Sequence, residues 1–124
     1  MSCSRTVETA AKWYEESAAV ASDFKSTCPD VARGFGTLFA TVMKEGALSA
    51  LQKELIALGI GLATRCEHCI YSHVQKCLTL GATREQVLDV AGVAVMMGGG
   101  PVYTYVPVLI SAIEACEQAK VGSA

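Results

Sequence analysis

An all-α fold is what the 124-residue sequence predicts, and three observations predict it. Apolar residues recur at three- and four-residue intervals through most of the chain. Two capping boxes mark helix starts. Almost no segment alternates apolar with polar residues at period two, the signature of a half-buried strand.

The elements follow in order. Ser4 or Thr6 can cap a first helix running through about Phe24, with Val7, Ala10, Ala11, Tyr14, Ala18 and Ala21 on one face. "KSTCPD" reads as a loop, because Pro29 disfavours helical backbone at Cys28 and Asp30 is a good N-cap. A second helix then runs to about Glu45 and stops at Gly46, a suitable C′ residue. Ser49 and Gln52 form a capping box for a third helix over 50–64, in which Leu51, Leu55, Leu58 and Leu62 recur at helical spacing. Gly59 and Gly61 weaken it, each costing about 1 kcal/mol against Ala.

A fourth helix spans about Glu67 to Leu80 and stops at Gly81. Thr83 with Gln86 repeats the capping box and starts a fifth, which ends in the glycines at 98–100. Pro101 suits the start of a sixth, which Pro107 should bend or interrupt. The prediction is one domain, 1–124, of about six helices that assemble through helix packing. The rival is a thioredoxin-like fold with "LIALGIGLA" as the strand before C-x-x-C. That fold needs several partner strands, and "VYTYVPVL", the one other candidate, is demoted by Pro107.

Composition narrows the function classes. Apolar residues make up 52% and charged residues 18%, with a mean hydropathy of +0.37. So small a chain has little interior for that much apolar surface, so part of it is expected in a subunit interface. A net charge of −2 without any Lys/Arg cluster argues against nucleic acid or anionic lipid as partner. Val90 to Ile113 carries no charge and is long enough to cross a bilayer, but "GGGP" would break a spanning helix, so two short buried helices are expected and no membrane. The polar opening lacks the apolar run of a secretory signal. A cytoplasmic location is therefore expected, with the six cysteines kept as thiols.

The chemistry concentrates in "TRCEHCIYSH", residues 64–73. At about 100° per residue, Cys66, Cys69 and His73 share one helix face, with Cys77 one turn further on. Cys69 and His73 are an i, i+4 pair, and Cys66 and Cys69 are close enough for a disulfide if the first turn is distorted. A helix N-terminus, His73 as proton acceptor and neighbouring Arg65 all favour a thiolate, while Glu67 opposes it. Two plainer readings stand beside a redox dithiol. One is a set of buried cysteines with a satisfied core histidine. The other is zinc held by Cys66, Cys69 and His73, with Glu54 or His68 as the fourth ligand, although no second Cys/His pair exists. From spacing alone, Glu54 reads as a solvated helix residue, and Cys77 as packing.

"KELIALGIGLATRCEHCIYSH" resembles the signature of the alkylhydroperoxidase AhpD-like proteins, within the carboxymuconolactone decarboxylase superfamily. The shared pattern is Glu, eleven residues, Cys-x-x-Cys, three residues, His, met by Glu54, Cys66, Cys69 and His73; His68 stands where AhpD has a further histidine. "LGATREQVLDVAGVAVMMGGGPVYTY" is similar to the later helices, so the resemblance covers about 35–115. It implies an all-helical subunit assembling into homotrimers or homohexamers. It also implies thiol-dependent reduction of hydroperoxides or of a partner disulfide, with Glu54 relaying protons through His73 to the thiol. The chain is shorter than AhpD, which has a two-fold repeat, and so resembles the single-domain branch.

The expected mechanism is attack by Cys69, deprotonated with help from His73 and Glu54, on a hydroperoxide or disulfide, followed by resolution by Cys66. His68 extends the proton relay. An external dithiol resets the site, with no bound cofactor and no metal. By thioredoxin logic Cys66 would attack first, so the order of the two stays open. The alternatives are a lyase of the carboxymuconolactone decarboxylase type, whose relatives do not rely on a C-x-x-C pair, and a non-enzymatic metal-binding or structural oligomer.

Overall fold

The structure, a computed structural model, describes the backbone of residues 3–122 and side chains from 6 to 120. It is all helical, with no strand among the described residues. The elements are α1 (Cys3–Thr27), α2 (Pro29–Met43), α3 (Ala50–Ala63), α4 (Glu67–Thr79), α5 (Arg84–Gly98), the single turn α6 (Gly100–Tyr103) and α7 (Val106–Gly122). Six are full helices. The expected break at Pro107 splits the last segment into α6 and α7, and Pro107 takes the second position of α7, where its missing N–H costs nothing.

Three boundaries differ from the sequence reading. Helix α1 begins at Cys3, so Ser4 and Thr6 lie inside it and neither caps it; the Ser4 side chain lies outside the described residues. The expected "KSTCPD" loop shrinks to one residue, Cys28. Its N–H still reaches Phe24 O (2.8 Å) and its C=O accepts from Ala32 N (3.0 Å). Pro29 forces only this residue out of helix, so Cys28, not Asp30, is the N-cap of α2, and Asp30 pairs with Arg33 in the first turn. Finally, α2 ends at Met43 rather than Glu45. Lys53 Nζ binds Val42 O and Lys44 O, both at 2.7 Å, and draws off the last carbonyls of the helix.

The core forms where α3 and α4 pack as a hairpin, with α5 against α3 and α7 against α4 and α1. Leu58 and Leu62 of α3, Ile70, Val74 and Cys77 of α4, Val87 of α5, and Leu109 and Ile113 of α7 are fully buried. The apolar face of α1 divides. Val7 and Ala10 enter this core, whereas Ala18 and Ala21 leave it and face an open cleft beside α2. Helix α2 buries no residue at all. Val31, Phe35, Leu38 and Val42 stay exposed along it, as do Val93, Met96 and Met97 on α5. No described helix is long and apolar enough to cross a membrane.

Candidate active site

The site is built at the joint between α3 and α4. Helix α3 closes with paired reverse bonds, Arg65 N to Leu62 O (3.0 Å) and Cys66 N to Gly61 O (2.9 Å), the pattern of a Schellman motif. That motif needs a left-handed residue at Arg65, whose φ is 56°. The same backbone closes α4 at Gly81 (φ 98°), where glycine adopts it freely. Arg65 therefore holds a strained turn directly before the first cysteine.

Cys66 follows as the N-cap of α4, and its Sγ accepts from Cys69 N at 3.2 Å. It lies outside the helix, not on a shared helical face as the sequence suggested, and this extended backbone lets the sulfurs meet. Cys66 and Cys69 form a disulfide with Cα atoms 5.2 Å apart. Gly61 makes room for it, since a Cβ there would lie 2.9 Å from Cys69 Cβ. The glycine that weakens α3 as a helix is what lets Cys69 sit against it.

One turn on, His73 Nδ1 meets Glu54 Oε2 at 2.6 Å, with the side chains only 14% and 7% exposed. A carboxylate only accepts, so Nδ1 carries the hydrogen and Nε2 is left as the basic nitrogen. Glu54 is thus a buried partner, not the solvated residue its spacing alone suggested. Phe39 of α2 stacks on His73 (centroids 6.4 Å apart, 18° between planes), and Lys76 Nζ lies 4.2 Å from the centroid of the Phe39 ring.

His68 is exposed and is held from α1: Trp13 Nε1–H donates to His68 Nδ1 at 2.5 Å. Trp13 also contacts the rings of Tyr14 and Tyr71, both at 5.3 Å between centroids. Tyr14 OH donates to Tyr71 O (2.6 Å), and Tyr71 OH donates to Glu67 Oε1 (2.9 Å). Burial first, then the neighbouring Cys116 and Tyr71, raises the Tyr14 phenol; burial and then Glu67 raise Tyr71. Both therefore act as neutral hydrogen-bond donors.

These groups border a largely apolar cleft of about 760 Å³ between α1, α2 and α4. Cys69, His68 and His73 line it with Trp13, Phe39 and Lys76; Cys66 does not. All five residues singled out in the sequence, Glu54, Cys66, His68, Cys69 and His73, thus converge. Trp13, Phe39 and Gly61 were missed. Nothing local marks Trp13 or Phe39, which are an aromatic residue each on an otherwise ordinary helix, and Gly61 carried a signal read only as a weakness. Cys77 faces the core, fully buried; burial, and then Glu54, push its thiol up to about 12, so it stays protonated. Among the described residues no three His, Cys, Asp or Glu side chains are grouped to hold a metal ion.

Residues 29–106 match the profile of the carboxymuconolactone decarboxylase family. An uncharacterized protein of Cupriavidus necator is 35% identical over 94 residues, 64% of this chain and 83% of that protein. Another uncharacterized protein, encoded in the cox locus of Paracoccus denitrificans, is 37% identical over 71 residues, 57% of this chain and 64% of its own length. Among solved structures, a carboxymuconolactone decarboxylase family protein from Legionella pneumophila is 37% identical with a TM-score of 0.72, covering 90% of this chain and 95% of that one. A family protein from Thermotoga maritima has a TM-score of 0.80 over the same shares at 23% identity, a likeness of fold.

Proposed function

This chain belongs to the carboxymuconolactone decarboxylase family, and on that premise we propose that it is a thiol-dependent oxidoreductase that reduces hydroperoxides or a partner disulfide. The observation that carries this reading is the Cys66–Cys69 disulfide at the edge of an apolar cleft, beside a histidine oriented by a buried carboxylate. A dithiol that closes across three residues at a helix N-terminus, with a base in reach, has the parts for reversible two-electron chemistry.

In the reduced protein His73 Nε2 takes the Cys69 proton, and Glu54 holds the resulting imidazolium. The Cys69 thiolate bonds to one oxygen of the hydroperoxide and the O–O bond breaks. The departing alkoxide takes the His73 proton and leaves as an alcohol. Cys66 then attacks the Cys69 sulfenic acid, forming the disulfide and releasing water. An external dithiol reduces the pair and is itself oxidised to a disulfide. The place of Cys69 in the cleft lining supports it as the attacking sulfur, with Cys66 as the resolving one. A partner disulfide enters the same cycle by thiol exchange. The chain acts as a homotrimer or homohexamer, supported by the uncovered apolar face of α2, in a reducing compartment such as the cytoplasm.

Mass-spectrometric thiol counting of the reduced protein, before and after one equivalent of cumene hydroperoxide, tests the reading. The expected result is rapid, selective loss of the Cys66 and Cys69 thiols, reversed by dithiothreitol. Thiols that stay free after exposure both to the hydroperoxide and to a small-molecule disulfide would overturn it and move attention to a decarboxylating lyase. Zinc released on oxidation would favour a metal-binding oligomer. Trapping a sulfenic acid in Cys66→Ser but not in Cys69→Ser is the expected order; the reverse would assign attack to Cys66.

A further inference from the structure

The two histidines of the site are held in opposite tautomers. An indole N–H can only donate, so the Trp13 bond at 2.5 Å fixes His68 Nδ1 as an acceptor and places the ring hydrogen on Nε2. His73 is the reverse, with hydrogen on Nδ1 and a basic Nε2, because its partner is a carboxylate. A ring that relays a proton must exchange it between both nitrogens, and an indole does not accept the proton that would leave Nδ1. The sequence-based role of His68 as an extension of the relay therefore does not fit its bonding.

We infer that Trp13 is a positioning residue that locks His68 as an Nε2–H hydrogen-bond donor to the substrate in the cleft. The inference rests on the proposed redox reading for its chemistry, though not for its geometry. While Cys69 sulfur bonds to the terminal peroxide oxygen, the O–O electron pair leaves with the alkoxide. His68 Nε2–H donates to that departing oxygen and keeps its proton; the proton that completes the alcohol comes from the His73 imidazolium. One histidine is thus the base and the other the fixed donor, and both line the same cleft as Cys69. The clamp also ties α1, outside the residues matched by the family profile, to the chemistry.

The chain has one tryptophan and two histidines, so a nitrogen-15 NMR spectrum of the intact protein reads the clamp directly. The expected result at neutral pH is His68 with an unprotonated Nδ1 and a protonated Nε2, and His73 with the converse. Trp13→Phe should release His68 to a tautomer mixture while His73 stays fixed. It should also slow disulfide formation with cumene hydroperoxide about tenfold, the scale of one neutral hydrogen bond. His68→Phe should slow it comparably, and the double variant no further. A wild-type His68 protonated on Nδ1, an unchanged tautomer in Trp13→Phe, or multiplying kinetic effects would overturn the inference. If Trp13→Phe does not fold, His68→Phe decides, because the single indole N–H resonance moves only if the two are bonded. A wild-type protein that forms no disulfide with the hydroperoxide would refute the peroxidase reading, and the tautomer spectrum would still judge the clamp.

Discussion

At the residue scale the decisive group is Glu54. Its carboxylate is nearly buried and has His73 Nδ1 at 2.6 Å, and a buried carboxylate keeps its place only when its hydrogen bonds are made. Glu54→Gln keeps an acceptor for Nδ1–H but removes the charge that holds an imidazolium. The fold should survive, and disulfide formation with hydroperoxide should fall about a hundredfold, the lower range for lost acid–base assistance; stopped-flow rates check this. Cys77 makes a second prediction. Burial and then Glu54 raise its thiol from the ordinary 9.0 to about 12, and Tyr14, Tyr71 and Cys116 are raised as well, chiefly by burial. Each neutral form is favoured by folding. For Cys77 the stability this gives is complete below about pH 9 and is lost as pH rises through 12. Melting temperatures should fall steeply above pH 9, less so in Cys77→Ala measured against its own value at pH 7.

At the element scale, the joint between α3 and α4 turns on contacts that propensity does not register. In a helix interior Gly→Ala ordinarily gains about 1 kcal/mol. At Gly61 the new Cβ would lie 2.9 Å from Cys69 Cβ, and forcing such an overlap costs about 1–3 kcal/mol. Gly61→Ala should therefore be less stable than wild type in urea denaturation and should form its disulfide poorly. Gly59→Ala, whose Cβ would meet Val90 Cγ1 at an ordinary 3.4 Å, should be neutral or stabilising. The capping boxes at Ser49 and Thr83 were legible because both partners sit within four residues and both bonds form. The boundaries around Cys28 and Met43 were not. A single proline bends the chain over one residue, and Lys53 reaches back from another helix to end α2.

At the scale of the whole molecule, the apolar excess in the composition reappears as uncovered helix faces. Helix α2 buries nothing, and Leu38 and Val42 are 60% and 52% exposed. Contiguous apolar surface of this kind is the usual mark of an interface. If the proposed homo-oligomer forms through this face, Leu38→Glu should sediment as smaller species than the wild type without loss of helix content. A wild type that sediments as a monomer would overturn the proposed assembly, and an oligomer unchanged by Leu38→Glu would move the test to the exposed Val93, Met96 and Met97 of α5.

The all-helical class, the number of full helices and the cysteine–histidine segment are legible in the amino-acid order, because each is written in residues at most a few positions apart. Periodicity, capping and i, i+4 spacing are local properties of a helical chain. The burial of Glu54 against His73, the space at Gly61 for Cys69, and the reach of Trp13 to His68 across 55 positions come from the packed molecule. These depend on which helix faces meet and at what distance. That is fixed by the packing of the whole core, so no segment read alone contains it.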